Sequence, residues 1–268
     1  MRRNGKQIMM VVVFLLFGWF LSVPVTGQEP GAKPTLAEVD ALMVDKTVEN
    51  CEKAIKGYEL LLKDDPKNYE ILYKLADAYS VILDIKTAGF LEEKDEYKPI
   101  LKSLGTTANG YAEKAYKLNS KSKDVVASAL RAYAYYSASF GVVKAVFKGA
   151  AGHYKELCNE LIKLDDKFRG AMGYRFLGKL YIVAPWPVGS DSKALKMFKK
   201  AIEKDNATLY SHYFAGELYF EDDEYELAEK EFVFVRDNTP SNDEAYYFDE
   251  YKKKTLDYLA KIEQKKKK

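Results

Sequence analysis

Between Leu209 and Pro240 the chain reads as two short helices back to back, and its small and large apolar residues fall at restrictive places. In the first helix Ala215 and Gly216 precede Tyr219, and after the turn Glu221-Asp222-Asp223 come Ala228, Phe232, Val235 and Pro240. Small residues let two helices approach closely, aromatic residues fill the space between neighbouring pairs, and a proline cannot continue a helix. One such window carries little weight. Recurrence decides it.

The pattern recurs. Stepping back 34 residues places Ala194, Phe198, Ala201 and Asn206 where Ala228, Phe232, Val235 and Pro240 stand. Gly178 and Tyr181 take the places of Gly216 and Tyr219, four residues further back than a strict period requires. Near the other end, Ala54, Tyr58, Leu61 and Pro66 repeat the second helix, and Leu72, Leu75, Ala76 and Tyr79 repeat the first. The middle is degenerate: Ala108, Ala112 and Ala115 lead to Val126, Ala129 and Tyr133, then Tyr154, Cys158 and Leu161 lead to Tyr174 and Leu177. Stacked units of this length build a solenoid. The spacing is uneven at three points: Tyr79 to Ala108, Tyr133 to Tyr154 and Tyr181 to Ala194 exceed the tight interval by 20, 12 and 4 residues. All three excesses fall at the turn inside a helix pair, so they enlarge one rim of the array.

These residues resemble the tetratricopeptide repeat: the Gly216…Tyr219 step, the Ala228-x3-Phe232 step and the closing Pro240 all match. The expected fold is all-α, a solenoid of about five helix pairs plus a C-terminal capping helix, over residues 35–264. In that family the first helix of each pair lines a concave groove. The resemblance therefore implies a partner-binding groove at Tyr73 and Asp77, Ala127 and Arg131, Arg175 and Lys179, and Tyr213 and Glu217. Each couple is four apart and shares a helical face. The centre of that groove is basic, which suits a carboxylate-bearing peptide or small acid. A merely solvated face is the alternative.

The N-terminus carries its own signal. Arg2, Arg3 and Lys6 form a positive region, Ile8 to Leu21 an apolar run, and Val25-Thr26-Gly27 a small-residue cleavage site. Residues 1–27 are expected to be a secretory signal, cut after Gly27, giving a periplasmic or secreted protein. No cysteine lies near the cut to carry a lipid. Of 268 residues 47% are apolar and 31% charged, ample for a core. Without the signal the chain has 39 basic and 40 acidic residues, and no strong field to attract nucleic acid. Residues 28–34 read as a flexible leader and 265–268 as a solvated lysine tail.

Thr35 can cap a first helix ending near Val44, and a second spans roughly 47–63. Val125–Gly152 is poor in charge and rich in alanine and tyrosine, so it belongs at the middle of the stack. In the loop Ala184-Pro185-Trp186-Pro187-Val188-Gly189-Ser190-Asp191, Ser190 or Asp191 can cap the next helix. Trp186 either packs on its own pair or faces a ligand at the rim. Asn242 to Gln264 reads as one last helix with a polar outer face.

Chemistry is thinly represented. His153 and Cys158 sit five apart, on different faces of a helix, and make a poor metal pair. His212 is expected to be a packed or hydrogen-bonded core residue. Cys51 and Cys158 lie on second helices of non-adjacent pairs, which favours buried thiols over a disulfide. No phosphate loop, nucleophile elbow or zinc-protease motif is present. Neither enzyme activity, cofactor nor metal is expected, and the expected partner is a protein or peptide.

A narrower resemblance rests on Gly178-Lys179-Leu180-Tyr181, the Pro/Gly loop ending in Asp191, and Ala194-x3-Phe198-x2-Ala201. It is similar to the T component associated with tripartite ATP-independent periplasmic transporters. Those exported repeat proteins are thought to partner a solute-binding protein and have a cleft and an apolar pocket. The family's usual lipidated cysteine is missing here. Two functions follow: a protein-interaction scaffold serving a transporter, or a small-molecule carrier with an apolar cavity among the central helices.

Overall fold

The computed structural model describes residues 33–267. Residues 1–32, where the signal and most of the leader are expected, and Lys268 lie outside the described residues. Helices α1 (Leu36–Leu42) and α2 (Val48–Leu62) form the first pair. The second joins α3 (Tyr69–Thr87), through a short α4 (Lys98–Ile100) and a π turn at Leu101–Gly105, to α5 (Thr106–Leu118). The third is α6 (Lys123–Ala138) with α8 (Ala150–Leu164), separated by the short α7 (Val142–Phe147). Then follow α9 (Phe168–Val183) with α10 (Asp191–Lys204), α11 (Leu209–Glu221) with α12 (Tyr225–Asp237), and the cap α13 (Asp249–Lys266). Among the described residues there is no strand. The expected five pairs and cap are all present.

Local chemistry places the ends. Thr35 and Glu38 form a reciprocal capping box on α1, satisfying backbone N–H groups that the helix cannot pair itself. Thr47, Asn68, Ser122 and Ser190 cap α2, α3, α6 and α10 in the same way through their side chains. The repeat register holds in space. Ala54, Ala108, Ala194 and Ala228 are all buried, as are Tyr58, Phe198 and Phe232 at the large positions. Gly216 is a glycine because a Cβ there would lie 2.9 Å from the Phe232 ring. Cys51 and Cys158 are buried free thiols, and burial pushes the Cys51 thiol up to about 11. His212 is a core residue stacked on Phe234 at 4.0 Å, with Nε2 at 3.0 Å from the Asn206 carbonyl.

Two element boundaries differ from expectation. Helix α1 stops at Leu42, short of Val44. The last helix begins at Asp249 rather than Asn242, because the preceding residues take a different role. Residues 241–248 run as turns and a 3-10 segment at Ala245–Tyr247, and side chains from this stretch reach α3, α6, α9 and α11.

Candidate ligand passage beneath the concave face

The groove expected along α3, α6, α9 and α11 is partly filled by the chain itself. Glu244 is 1% exposed, and its carboxylate accepts from Arg175 Nη1 at 3.0 Å, the Thr208 hydroxyl at 2.8 Å and the backbone N–H groups of Leu209 and Tyr210 at 3.1 and 3.3 Å. A carboxylate at a helix N-terminus meets unpaired N–H donors and the positive end of the dipole. Thr208 offers α11 no side-chain cap, so Glu244 supplies it from 36 residues away. Tyr246 donates to Asp84 at 2.7 Å and accepts from Arg131, which also pairs with Asp84. Tyr247 lies against Gly89, whose φ of +60° and missing Cβ both suit this approach.

The sequence-assigned groove residues therefore separate into four places. Tyr73, Asp77 and Arg131 line an open polar pit toward the N-terminal half. Arg175 lies beneath the chain's own Glu244, with Nε buried and without a hydrogen-bond partner. Tyr213 is fully buried and donates to Glu217 at 2.7 Å, and Tyr258 of the cap donates to the same carboxylate at 3.1 Å. This last couple sits in the core, where α13 covers it, and presents no open groove. Ala127 is buried as well. Trp186 is 86% exposed on the rim loop, so it does not pack on its own pair.

Lys179 marks a second space. Its ammonium donates to the Leu91 carbonyl at 3.0 Å and stands 4.2 Å from the centre of the Phe214 ring. Burial strips water from the charge and lowers its pKa to about 8, with Glu217 opposing the shift. Beside it opens an apolar pocket with a cavity volume of about 100 Å³. Two of the three expected insertions help to wall this pocket, and the third only borders it. Gly89 and Phe90 come from the first, Ala138, Val142 and Val146 from the second, and Val183 borders the third. Phe176 and Leu180 of α9 add further apolar wall. An intermediate space shares Gly89, Tyr135, Phe176 and Tyr210 with the pocket, and Arg131, Arg169 and Asp243 with the polar pit. Polar and apolar spaces thus adjoin in series through the repeat stack.

Lys179 makes a pH prediction. A base whose folded pKa lies below its ordinary 10.5 binds protons less well when folded, so stability rises with pH between about 8 and 10.5. Lys179→Met lacks that rise. Urea unfolding of both proteins at about pH 7 and about pH 10 should show the variant's advantage shrinking by ~2 kcal/mol at the higher pH. An advantage that stays constant would mean that Lys179 is not desolvated.

Sequence reasoning missed Arg169, Asp40, Lys46, Lys74 and Glu244. Arg169, Gly170 and Ala171 take left-handed φ values of 46°, 67° and 54° at the start of α9. That turn brings Arg169 Nη2 to 2.9 Å from Asp77 and its carbonyl to 2.6 Å from Arg175 Nη2. Only Gly170 hinted at it, since left-handed backbone is unfavourable for arginine and alanine. Among the described residues no group of His, Cys, Asp and Glu is placed to hold a metal, and no helix is long and apolar enough to cross a membrane.

No family model matches the chain, and no curated protein does. Solved structures do. A thermophilic tetratricopeptide-repeat protein of Thermus thermophilus, TTC0263, superposes with a TM-score of 0.56 at 15% identity, covering 80% of this chain and 92% of its own. MamA gives 0.47 at 22% identity, covering 81% and 98%. Human IFIT1, solved with a capped RNA, gives 0.43 at 17% identity, covering 85% and 57%. With its five stacked helix pairs and helical cap, the chain has the tetratricopeptide-type helical-repeat fold.

Proposed function

We propose that this chain is an exported, non-catalytic binding protein that holds a small amphiphilic acid in the apolar pocket, its carboxylate toward Lys179. The observation that carries this reading is that two separate insertions, unneeded for the repeat, converge with α9 to wall one pocket with a single ammonium at its edge. A concave, mostly apolar lining with a charged group at its edge is of the kind that takes small organic ligands. An ammonium has three donors, and the bond to Leu91 uses one. The N-terminal charges, apolar run and small-residue site support export.

Titration with decanoate and tetradecanoate, read by displacement of a fluorescent apolar probe, tests it. Ala151→Trp fills the pocket and should weaken binding about 10-fold or more, at a packing cost of about 1–3 kcal/mol. Undiminished binding in that variant would place the ligand elsewhere.

A protein-interaction role, with a transporter's solute-binding protein as partner, is the second reading. Exposed Phe140, Val143, Phe147 and Trp186 support it, since large apolar side chains left in water mark contact surfaces. Crosslinking in intact cells followed by mass spectrometry checks it. Recovery of a solute-binding protein favours this role, and a Phe147→Ser, Trp186→Ser variant should lose that partner.

A further inference from the structure

The outer face of α7 has a composition that the pocket does not explain. Val142 and Ala145 on its inner face are buried and help to wall the apolar pocket. Val143 and Phe147, four apart on the outer face, stand 52% and 78% exposed. Lys144 and Lys148 share that face and are exposed as well. Among the described residues neither lysine meets a carboxylate, and Lys148 instead lies 5.2 Å from the centre of the Phe140 ring.

Aromatic side chains continue the patch. Phe140 is exposed and meets Tyr136 edge-on at 5.1 Å, and Tyr136 leads on to Tyr133 at 6.3 Å. The exposed Trp186 sits on a loop packed beside α7, since Ala184 and Val188 share an apolar cluster with Val146 and Ala151. Positive-φ glycines stand at both ends of α7: Gly141 at +81° separates it from α6, and Gly149 at +85° from α8.

Either a protein or a lipid bilayer can cover large apolar side chains left in water. The charges decide between them. From Val125 to Lys155 the sequence has four basic residues and no acidic one. Glu93 reaches α7 from the first insertion, and there it accepts from the Val142 N–H at 3.1 Å. Lysine is scarce at the centres of protein interfaces. On membrane-surface elements it is frequent, because its stem lies along the acyl boundary while its ammonium reaches the headgroups. Tyrosine and tryptophan gather at the same level. Two lysines beside two apolar anchors therefore complement a lipid surface that is itself negatively charged.

We propose that α7 and the Trp186 loop dock this protein on the surface of an anionic phospholipid bilayer. Val143 and Phe147 enter the acyl boundary, and Lys144 and Lys148 meet the phosphates. Such an attachment is reversible, since it rests on few side chains. It goes beyond the acid-binding reading and stands without it: docking uses the outer face of α7, and the pocket its inner face.

Flotation of the purified protein with lipid vesicles, and with no acid added, tests this. Vesicles of equal parts phosphatidylcholine and phosphatidylglycerol should carry the protein upward, and pure phosphatidylcholine should carry less of it. Each lysine near such a surface is worth about 5-fold in affinity, so Lys144→Gln with Lys148→Gln should weaken binding about 10-fold or more. Val143→Ser with Phe147→Ser should remove it. All four side chains are exposed, so both double variants should keep the wild-type melting curve. Binding through the lysine tail at 265–268 would survive both double variants and overturn the proposal. So would a wild-type protein that stays apart from the vesicles, including one whose patch captures a solute-binding protein instead.

Discussion

Glu244→Ala should destabilise the folded chain by about 4 kcal/mol, the range seen when one partner of a buried ion pair is removed. Four donors converge on this carboxylate: the Arg175 guanidinium, the Thr208 hydroxyl and two N–H groups at the start of α11. Alanine leaves Arg175 Nη1, the Thr208 hydroxyl and both N–H groups without this acceptor, and Arg175 charged beneath the surface with the Arg169 carbonyl still accepting from its Nη2. Burial disfavours that charge, and Glu244 is the main group that holds it in place. Urea unfolding should show a lower midpoint with an unchanged slope. Glu244→Gln keeps an oxygen acceptor but loses the charge, so its loss should be smaller. Adding Arg175→Met to Glu244→Ala should recover part of the stability, since the stranded cation then disappears. A Glu244→Ala protein as stable as wild type would mean that residues 241–248 do not rest on the concave face.

Phe232→Ala should cost about 3–5 kcal/mol, as removal of a fully buried aromatic ring usually does. The ring is stacked on Tyr258 of the cap at 4.7 Å, meets Tyr213 at 6.0 Å, and closes on the helix bearing Gly216. Its loss opens a cavity between the last pair and α13 together. Calorimetry should show a lower Tm, with amide exchange rising first in α12 and α13. Trp186→Ala is the matched control. That ring is exposed, so its change should stay within about 0.5 kcal/mol.

These two positions show what the sequence could convey. Phe232 belongs to a local pattern: its alanine four residues earlier, its glycine in the preceding helix and its proline beyond all lie within one repeat. Such short-range signals predicted the pairs, their order and the rim where the insertions fall. Glu244 has no local signature, because its partners are 34 to 69 residues away. A charged, tyrosine-bearing stretch before a helix reads as part of that helix until its side chains find better acceptors and donors elsewhere. Arg169 was hidden for a related reason, since nothing in Phe168-Arg169-Gly170-Ala171 predicts three left-handed residues in succession. The groove residues Tyr73, Asp77, Arg131, Arg175, Lys179, Tyr213 and Glu217 were placed correctly on first helices. Whether each faces solvent was set by the returning segment and by α13, and repeat register carries no information about either.

The apolar pocket lies between these cases. Its two contributing insertions were legible as excess length on one rim, but their closure around Lys179 depends on packing between pairs. Native mass spectrometry of the protein, purified without detergent from its own cells, is the most direct check on a bound acid, with Ala151→Trp measured in parallel. One small acid should be found on the wild-type chain, released on denaturation and missing from the filled variant. A wild-type chain at its bare polypeptide mass, which also takes up no added decanoate or tetradecanoate, would contradict a carrier role for the pocket.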